Sequence, residues 1–64
     1  MYIIKVYNEQ GFYGYYAEHP EQPELPFYSD NMFDAIKYTS AAQAQEIADE
    51  ITYNSDFECV VLPL

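Results

Sequence analysis

One stretch of this sequence, residues 38–51, predicts a capped helix whose two sides differ in chemistry. Ser40 is a suitable N-cap and Gln43 follows three residues later, which is the capping-box pattern, so the helix should begin at Ala41. Four apolar residues then recur at helical spacing and form a stripe that must pack on another element: Ala44, Ile47, Ala48 and Ile51. The rest of the chain has to supply the surface that buries this stripe.

The opposite side of the same helix carries acids without compensating cations. Glu46 is spaced i, i+3 from Asp49 and i, i+4 from Glu50, and residues 41–51 contain no Lys or Arg. Like charges at these spacings repel one another and weaken a helix. Local helix stability therefore does not explain the acids.

The surface for the helix is predicted to be an antiparallel sheet that starts with a hairpin. Residues 2–7 and 12–17 have the composition and alternation of strands, and the polar break between them ends in Gly11. Gly14 is expected to leave room for a neighbouring ring or to mark a β-bulge. Alternation places three residues of the first strand on each face, with the lysine marking the wetter one: Tyr2, Ile4 and Val6 against Ile3, Lys5 and Tyr7.

The segment between the hairpin and the helix is predicted to be irregular. Residues 18–26 contain three prolines and three glutamates, which indicates an extended surface loop. Residues 27–28 are expected to add a brief edge segment. Residues 32–37 are expected to form one turn of helix, capped by Asp30 or Asn31. This turn would lead into a short strand at 35–38.

After the helix, residues 52–56 predict a polar turn and residues 57–62 a final strand. This strand is apolar on both faces, which favours a central position in the sheet. The predicted fold is therefore α+β: a small antiparallel sheet of three to four strands with one helix packed on one face, in the order β-β-β-α-β. Residues 1–64 are expected to form a single domain.

The charge balance excludes several classes of partner. Eleven acids stand against two lysines, and the formal net charge is -9. Such a surface repels nucleic acid and anionic lipid and attracts basic proteins, so neither direct nucleic-acid binding nor membrane binding is expected. No segment has the run of about 18 apolar residues that spans a bilayer, and the single Cys59 has no partner for an internal disulfide. A cytoplasmic location is the expectation.

The sequence shows none of the residue constellations that an enzyme needs. Cys59 lies in the apolar final strand and is interpreted as a packing residue, and His19 is interpreted as an exposed loop histidine. Two glycines, Gly11 and Gly14, do not form a phosphate-binding loop. We therefore expect no catalytic residues, no metal and no cofactor.

The stretch at residues 35–44, Ala-Ile-Lys-Tyr-Thr-Ser-Ala-Ala-Gln-Ala, together with the β-β-β-α-β order, resembles small accessory proteins of bacteriophages. In those proteins a short strand ending in an aromatic residue runs into a Ser- or Thr-capped, Ala-rich helix. The resemblance implies a phage or prophage protein acting in the host cytoplasm. That group includes acidic inhibitors of host nucleic-acid enzymes, anti-CRISPR proteins among them.

Charge and aromatic content together suggest an inhibitor that mimics nucleic acid. Its carboxylates would replace phosphates on a basic host protein, with tyrosines as anchors. The tyrosines Tyr7, Tyr13 and Tyr15, beside Lys5, are expected to form a patch on the open sheet face. The candidate mimic acids are Glu46, Asp49, Glu50 and Asp56, with Glu9, Asp30, Asp34 and Glu58 in reserve.

Two further interpretations stay open at this stage. In the first, the protein is a small structural protein that self-associates through its tyrosine-rich sheet face, most simply as a homodimer. Its acids would then serve only solubility. Salt separates these interpretations, because screening weakens a charge-driven complex and leaves a homo-oligomer unchanged or tighter. Capture of a small ligand between tyrosines and the proline-rich loop has no specific support.

Overall fold

Four antiparallel strands and one helix account for most of the chain. The computed structural model describes residues 1–64. The strands are β1 (Tyr2–Asn8), β2 (Gly11–Glu18), β3 (Pro26–Ser29) and β4 (Glu58–Pro63), and the helix is α1 (Ala41–Asn54). The sheet order is β3-β2-β1-β4, every neighbouring pair is antiparallel, and α1 lies on one face. The predicted α+β class and β-β-β-α-β order are confirmed.

A two-residue turn and a bulge shape the β1–β2 hairpin. Gly11 has a φ of 116°, a left-handed conformation that favours glycine. Val6 pairs with Gly14 but Tyr7 pairs with Phe12, so the register shifts and one extra residue, Tyr13, is accommodated in β2. Beyond the bulge, the side chains of β2 face the opposite way from simple alternation.

Gly14 is required where β2 meets β3. A Cβ at this position would lie 3.1 Å from the carbonyl oxygen of Ser29 and 3.1 Å from Cβ of Tyr28. The expected bulge is confirmed, since it lies next to Gly14, whereas the space that the glycine leaves is filled by the backbone of β3 and the Tyr28 Cβ rather than by a ring.

Helix α1 begins as predicted and ends later than predicted. Its N-cap is Ser40, whose Oγ accepts a hydrogen bond from the Gln43 N–H at 3.3 Å. The helix continues through residues 52–54, which were expected to be a turn. Asn54 Nδ2 and Ser55 Oγ donate to the carbonyl oxygens of Glu50 and Ile51, at 3.0 and 2.6 Å, so the side chains at the end of the helix bond back to its last turn.

The core lies between α1 and the strands β1 and β4. Ile4 and Val6 of β1 are fully buried against Ala44 and Ala48 of the helix. The small alanine side chains allow a close approach, and the helix sits over β1 and β4 rather than over the middle of the sheet. The same side of β2 and β3 is therefore less covered.

The second face of the sheet is covered at one end only. Ile3 and Ala17 are buried there, although alternation puts Ile3 on the same face as Lys5. A 3-10 helix, Met32–Asp34, lies against β2, and its N-cap Asn31 accepts a hydrogen bond from the Phe33 N–H. This settles the cap in favour of Asn31.

The segment that follows fits between the ends of β1 and β2. The Ile36 N–H donates to the Tyr16 carbonyl oxygen at 3.1 Å, and Tyr38 exchanges two backbone hydrogen bonds of 2.8 Å with Tyr2. The expected strand at 35–38 is thus reduced to two isolated bridges.

The final strand is at the edge of the sheet, so the prediction of a central position is wrong. β4 pairs with β1 alone. Its apolar residues are half-buried or exposed, and Val60 retains 43% of its accessible surface. The central strands are β1 and β2.

Candidate protein-binding surfaces

The outer side of α1 is a continuous acidic surface with an aromatic residue in it. Glu46, Asp49 and Glu50 are exposed, and Tyr53 follows them by seven, four and three residues. These spacings place all four on one side of a helix, and Tyr53 is 90% exposed. We call this set of four residues the acidic helix face.

Neither lysine neutralises the acidic helix face. Lys37 Nζ donates to the carbonyl oxygens of Phe33 and Ala35, at 3.1 and 3.2 Å. Lys5 Nζ lies 5.4 and 5.3 Å from the ring centroids of Tyr7 and Phe12, within cation–π range. Within the helix, Gln45 Nε2 donates to Asp49 Oδ1 at 2.9 Å, a neutral partner that leaves the charge in place.

The other candidate acids are also exposed, and they lie outside the acidic helix face. Asp56 and Glu9 line the same depression of about 270 Å³, between the β1–β2 turn and the turn after α1. Asp34 accepts a hydrogen bond of 2.8 Å from Ser29 Oγ, beside Asp30 at the start of the 3-10 segment. Glu58 pairs with Tyr7 at the beginning of β4. The structure brings Asp56 together with Glu9 at one depression and places Asp34 against Ser29, the residue before Asp30.

The predicted aromatic patch exists on the open sheet face with one member exchanged. The rings of Tyr7, Phe12 and Tyr15 contact one another edge to face, with centroid distances of 6.2 and 5.2 Å along the series. Tyr13 is not part of this patch. The bulge turns it to the helix side, where it stacks on Phe57 at 4.6 Å, so its predicted position is wrong and Phe12 takes its place.

The acidic helix face and the open-face aromatic patch lie on opposite sides of the sheet. Tyr7 and Tyr15 share the face of Lys5, whereas the helix packs on the face of Ile4 and Val6. A single flat partner surface does not touch both. The one predicted tyrosine on the helix side is Tyr13.

A groove separates the C-terminal half of α1 from β2 and β3. It has a volume of about 300 Å³, and its walls include Tyr16, Tyr28, Ile47 and Glu50. Burial raises the pKa of the Tyr28 hydroxyl, with smaller contributions from Tyr16 and neighbouring groups. The groove is the uncovered part of the helix-side face.

Cys59 is partly buried against the core, and His19 is hydrogen-bonded to the backbone of its own loop. Cys59 is half-buried, and burial raises the pKa of its thiol, the direction that disfavours a reactive thiolate. His19 Nδ1 accepts hydrogen bonds from the backbone N–H groups of Glu21 and Gln22, at 3.1 and 3.0 Å. The histidine thereby orders the first turn of the proline-rich loop, a role that its sequence position did not reveal.

Two exposed aromatic residues were missed by the sequence reasoning. Phe33 is 80% exposed on the 3-10 helix and Tyr53 is 90% exposed on α1. The spacing of Tyr53 from the acids was visible in the sequence, but the predicted helix stopped at residue 51. Phe33 had no comparable signal, since a short apolar segment has too few residues to show a periodicity.

Comparison with known proteins identifies no relative of this chain. No protein-family model, curated protein or solved structure matches this chain. The helices of the structure are too short or too polar to cross a membrane.

Proposed function

We propose that this protein is a stoichiometric inhibitor that binds a basic nucleic-acid-binding protein of the host through its acidic helix face. The target class is a nuclease or a CRISPR effector, whose nucleic-acid site the inhibitor would occupy. The observation that carries the proposal is an uncompensated charge: all eleven acids are exposed, and both lysines are engaged away from the helix.

The geometry of the helix supports mimicry of charge density rather than of individual phosphates. Glu46 and Glu50 are one turn apart, about 6 Å along the helix axis. One strand of DNA carries a phosphate about every 3.4 Å. Three carboxylates in little more than one turn therefore give a comparable density of negative charge without matching single phosphate positions.

Tyr53 is the aromatic anchor that this surface offers. It is surrounded by Asp49 and Glu50 on the same side of the helix and is almost fully exposed. Tyrosines at the centre of an interface contribute apolar contact at a low entropic cost. Because Tyr7 and Tyr15 lie behind the sheet, Tyr53 takes over the role first proposed for them.

The test compares two variants that lose the same three charges at different places. Glu46→Gln, Asp49→Asn and Glu50→Gln together remove charge from the acidic helix face. Glu18→Gln, Glu21→Gln and Glu24→Gln remove it from the end of β2 and from the proline-rich loop that follows. Tagged protein is used to capture targets from host lysate, the complex is eluted with rising salt and with competing DNA or RNA, and the isolated target is then titrated with each variant.

We expect the helix variant to lose target binding and the loop variant to keep it. Tyr53→Ala should lower the affinity at every salt concentration and leave the slope of affinity against salt unchanged, since it removes contact and not charge. Equal losses in both triple variants would reduce the interaction to unspecific charge attraction. Full binding by the helix variant would remove this surface from the proposal.

The alternative is a structural protein that self-associates through the open-face aromatic patch. The observation that favours it is the 46% exposure of Phe12, next to Tyr7 and Tyr15 on a face that nothing covers at this end. Phe12→Ser should then dissociate the oligomer and leave capture of a basic target unchanged.

A further inference from the structure

We infer that β4 is a docking strand for the β4 of a second copy of this chain, giving a two-fold symmetric dimer with one continuous eight-stranded sheet. This inference does not depend on the proposed inhibitor function. It rests on the two edges of the sheet, which differ in length and chemistry.

The edge formed by β3 is poorly suited to pairing, whereas the edge formed by β4 is well suited. β3 has four residues and begins with Pro26, and short edge strands with proline resist addition of another strand. β4 has six residues with Cys59, Val60, Val61 and Leu62 at its centre, and no strand pairs with its outer side. A long apolar edge of this kind is a template for another chain.

The hydrogen-bond pattern identifies the free backbone groups of β4. Tyr2 exchanges its backbone hydrogen bonds with Tyr38, away from β4, and the Leu64 N–H donates to the Met1 carbonyl oxygen at 2.7 Å. In an antiparallel ladder bonded and non-bonded pairs alternate. Ile3–Leu62 and Lys5–Val60 are therefore the bonded pairs, and Ile4–Val61 and Val6–Cys59 are the non-bonded pairs. The backbone N–H and C=O groups of Leu62 and Val60 thus point to β1. The N–H and C=O groups of Cys59 and Val61 therefore point outward.

Only one two-fold register pairs all of these outward groups with residues of β4 itself. If Cys59 faces Val61 of the second copy, the two residues of each chain form four hydrogen bonds and leave none of these groups unpaired. Pairing Val61 with its own copy would instead set Cys59 opposite Pro63, which has no N–H to donate. Pairing Cys59 with its own copy would bring Phe57, which precedes β4, into the ladder.

The favoured register also separates the only charged residue of β4 from its copy. Glu58 would lie opposite Leu62, about 13 Å along the strands from the second Glu58. If Cys59 faced its own copy, the two glutamates would be only about 7 Å apart on the same face. At the centre of the favoured dimer Val60 faces Val60 as a non-bonded pair, and its exposed side chain becomes covered.

Charge on the helices sets the salt dependence of the dimer. The two-fold axis is perpendicular to the sheet, so both helices lie on the same side of it. Each copy carries a net charge of -9, and the exposed acids of both helices lie on this side. Their mutual repulsion is screened by salt, so the dimer should tighten as ionic strength rises.

The test is a disulfide cross-link in the full chain, in which Cys59→Ser removes the native thiol. Into this background Val60→Cys places a thiol at the axis, where the two Cα atoms of a non-bonded pair are about 4.5 Å apart and a disulfide is allowed. Glu58→Cys is the matched control, because it is exposed on the same face of the same strand but lies too far from its copy. Sedimentation equilibrium of the unmodified protein at low and high salt supplies the mass.

We expect a concentration-dependent dimer that tightens with salt, and a disulfide yield for V60C at least about tenfold above that of E58C, because association raises the effective thiol concentration. Val60→Lys should shift the protein to the monomer with an unchanged circular dichroism spectrum. A monomer at all concentrations, or equal cross-linking of V60C and E58C, would overturn the inference. A dimer that Phe12→Ser dissociates but Val60→Lys does not would assign association to the aromatic patch instead.

Discussion

Neutralising the acidic helix face should make the fold more stable. Glu46 forms two like-charge pairs, with Asp49 at i+3 and with Glu50 at i+4, and no cation is near them. Each such pair costs about 0.2–0.5 kcal/mol. Removing both should therefore raise the free energy of unfolding by about 0.4–1 kcal/mol, which for a domain of this size corresponds to about 2–8 °C in Tm.

The substitutions Glu46→Gln, Asp49→Asn and Glu50→Gln are chosen to change charge and little else. Asparagine at position 49 keeps a side-chain oxygen that can accept the hydrogen bond from Gln45 Nε2. The loop variant Glu18→Gln, Glu21→Gln, Glu24→Gln has the same net charge, -6 from -9 after three neutralisations, and controls for the overall reduction in self-repulsion. The two variants have equal net charge, and the helix variant is the one that relieves repulsion along α1.

The assay is urea unfolding at low salt and at about 1 M salt, where the Debye length is about 3 Å. At low salt the helix variant should be more stable than the loop variant, and at high salt the two should be equal. If the helix variant has no advantage at low salt, or keeps its advantage when charges are screened, repulsion among these acids does not limit the stability of the fold. Only nine of 64 residues are buried, so total stability should be small and a difference of this size measurable.

Two further predictions concern the sheet and its tyrosines. Gly14→Ala should lower the free energy of unfolding by about 1–3 kcal/mol, because the new Cβ meets the Ser29 carbonyl and the Tyr28 side chain; in urea unfolding, a gain in stability would show that β3 moves aside freely. Burial raises the pKa of the Tyr38 hydroxyl and of the Cys59 thiol, so the unfolded chain loses these protons first. The free energy of unfolding should therefore be constant below about pH 9 and should fall as the pH rises through the raised pKa values. Urea unfolding from pH 7 to 11 should show a shallower fall for Tyr38→Phe than for the unmodified protein. An equal fall in both would show that the buried Tyr38 hydroxyl does not contribute to it.

Local signals determined which parts of the fold were predictable from sequence. The start of α1 follows from one cap residue, Ser40, and the hairpin turn follows from Gly11, so neither depends on distant contacts. Tyr13 was misplaced because the bulge shifts the strand by one residue, and a shift of one residue reverses the face of every side chain beyond it. Gly14 signalled a bulge without showing which residue it would displace.

The position of β4 was mispredicted for a different reason. Apolar residues on both faces of a strand are typical of a central strand, and β4 has this pattern although it lies at the edge. The helix accounts for the apolar residues Cys59 and Val61 on one face. Val60 on the other face is left exposed, so the sequence pattern describes more burial than the single chain provides. A second β4 in the inferred register would supply the missing cover.

Salt separates the two surfaces because it acts on them with opposite signs. A complex between the acidic helix face and a basic protein should weaken with rising ionic strength, whereas the β4 dimer should tighten as repulsion between its two acidic copies is screened. In the dimer both acidic helix faces would lie on the same side of the continuous sheet. A basic target with two adjacent sites would then be held by both faces, and the second contact would be intramolecular. Val60→Lys leaves every acid of the helix in place but removes the dimer. If dimerisation contributes to inhibition, this variant should therefore bind the target more weakly than the unmodified protein.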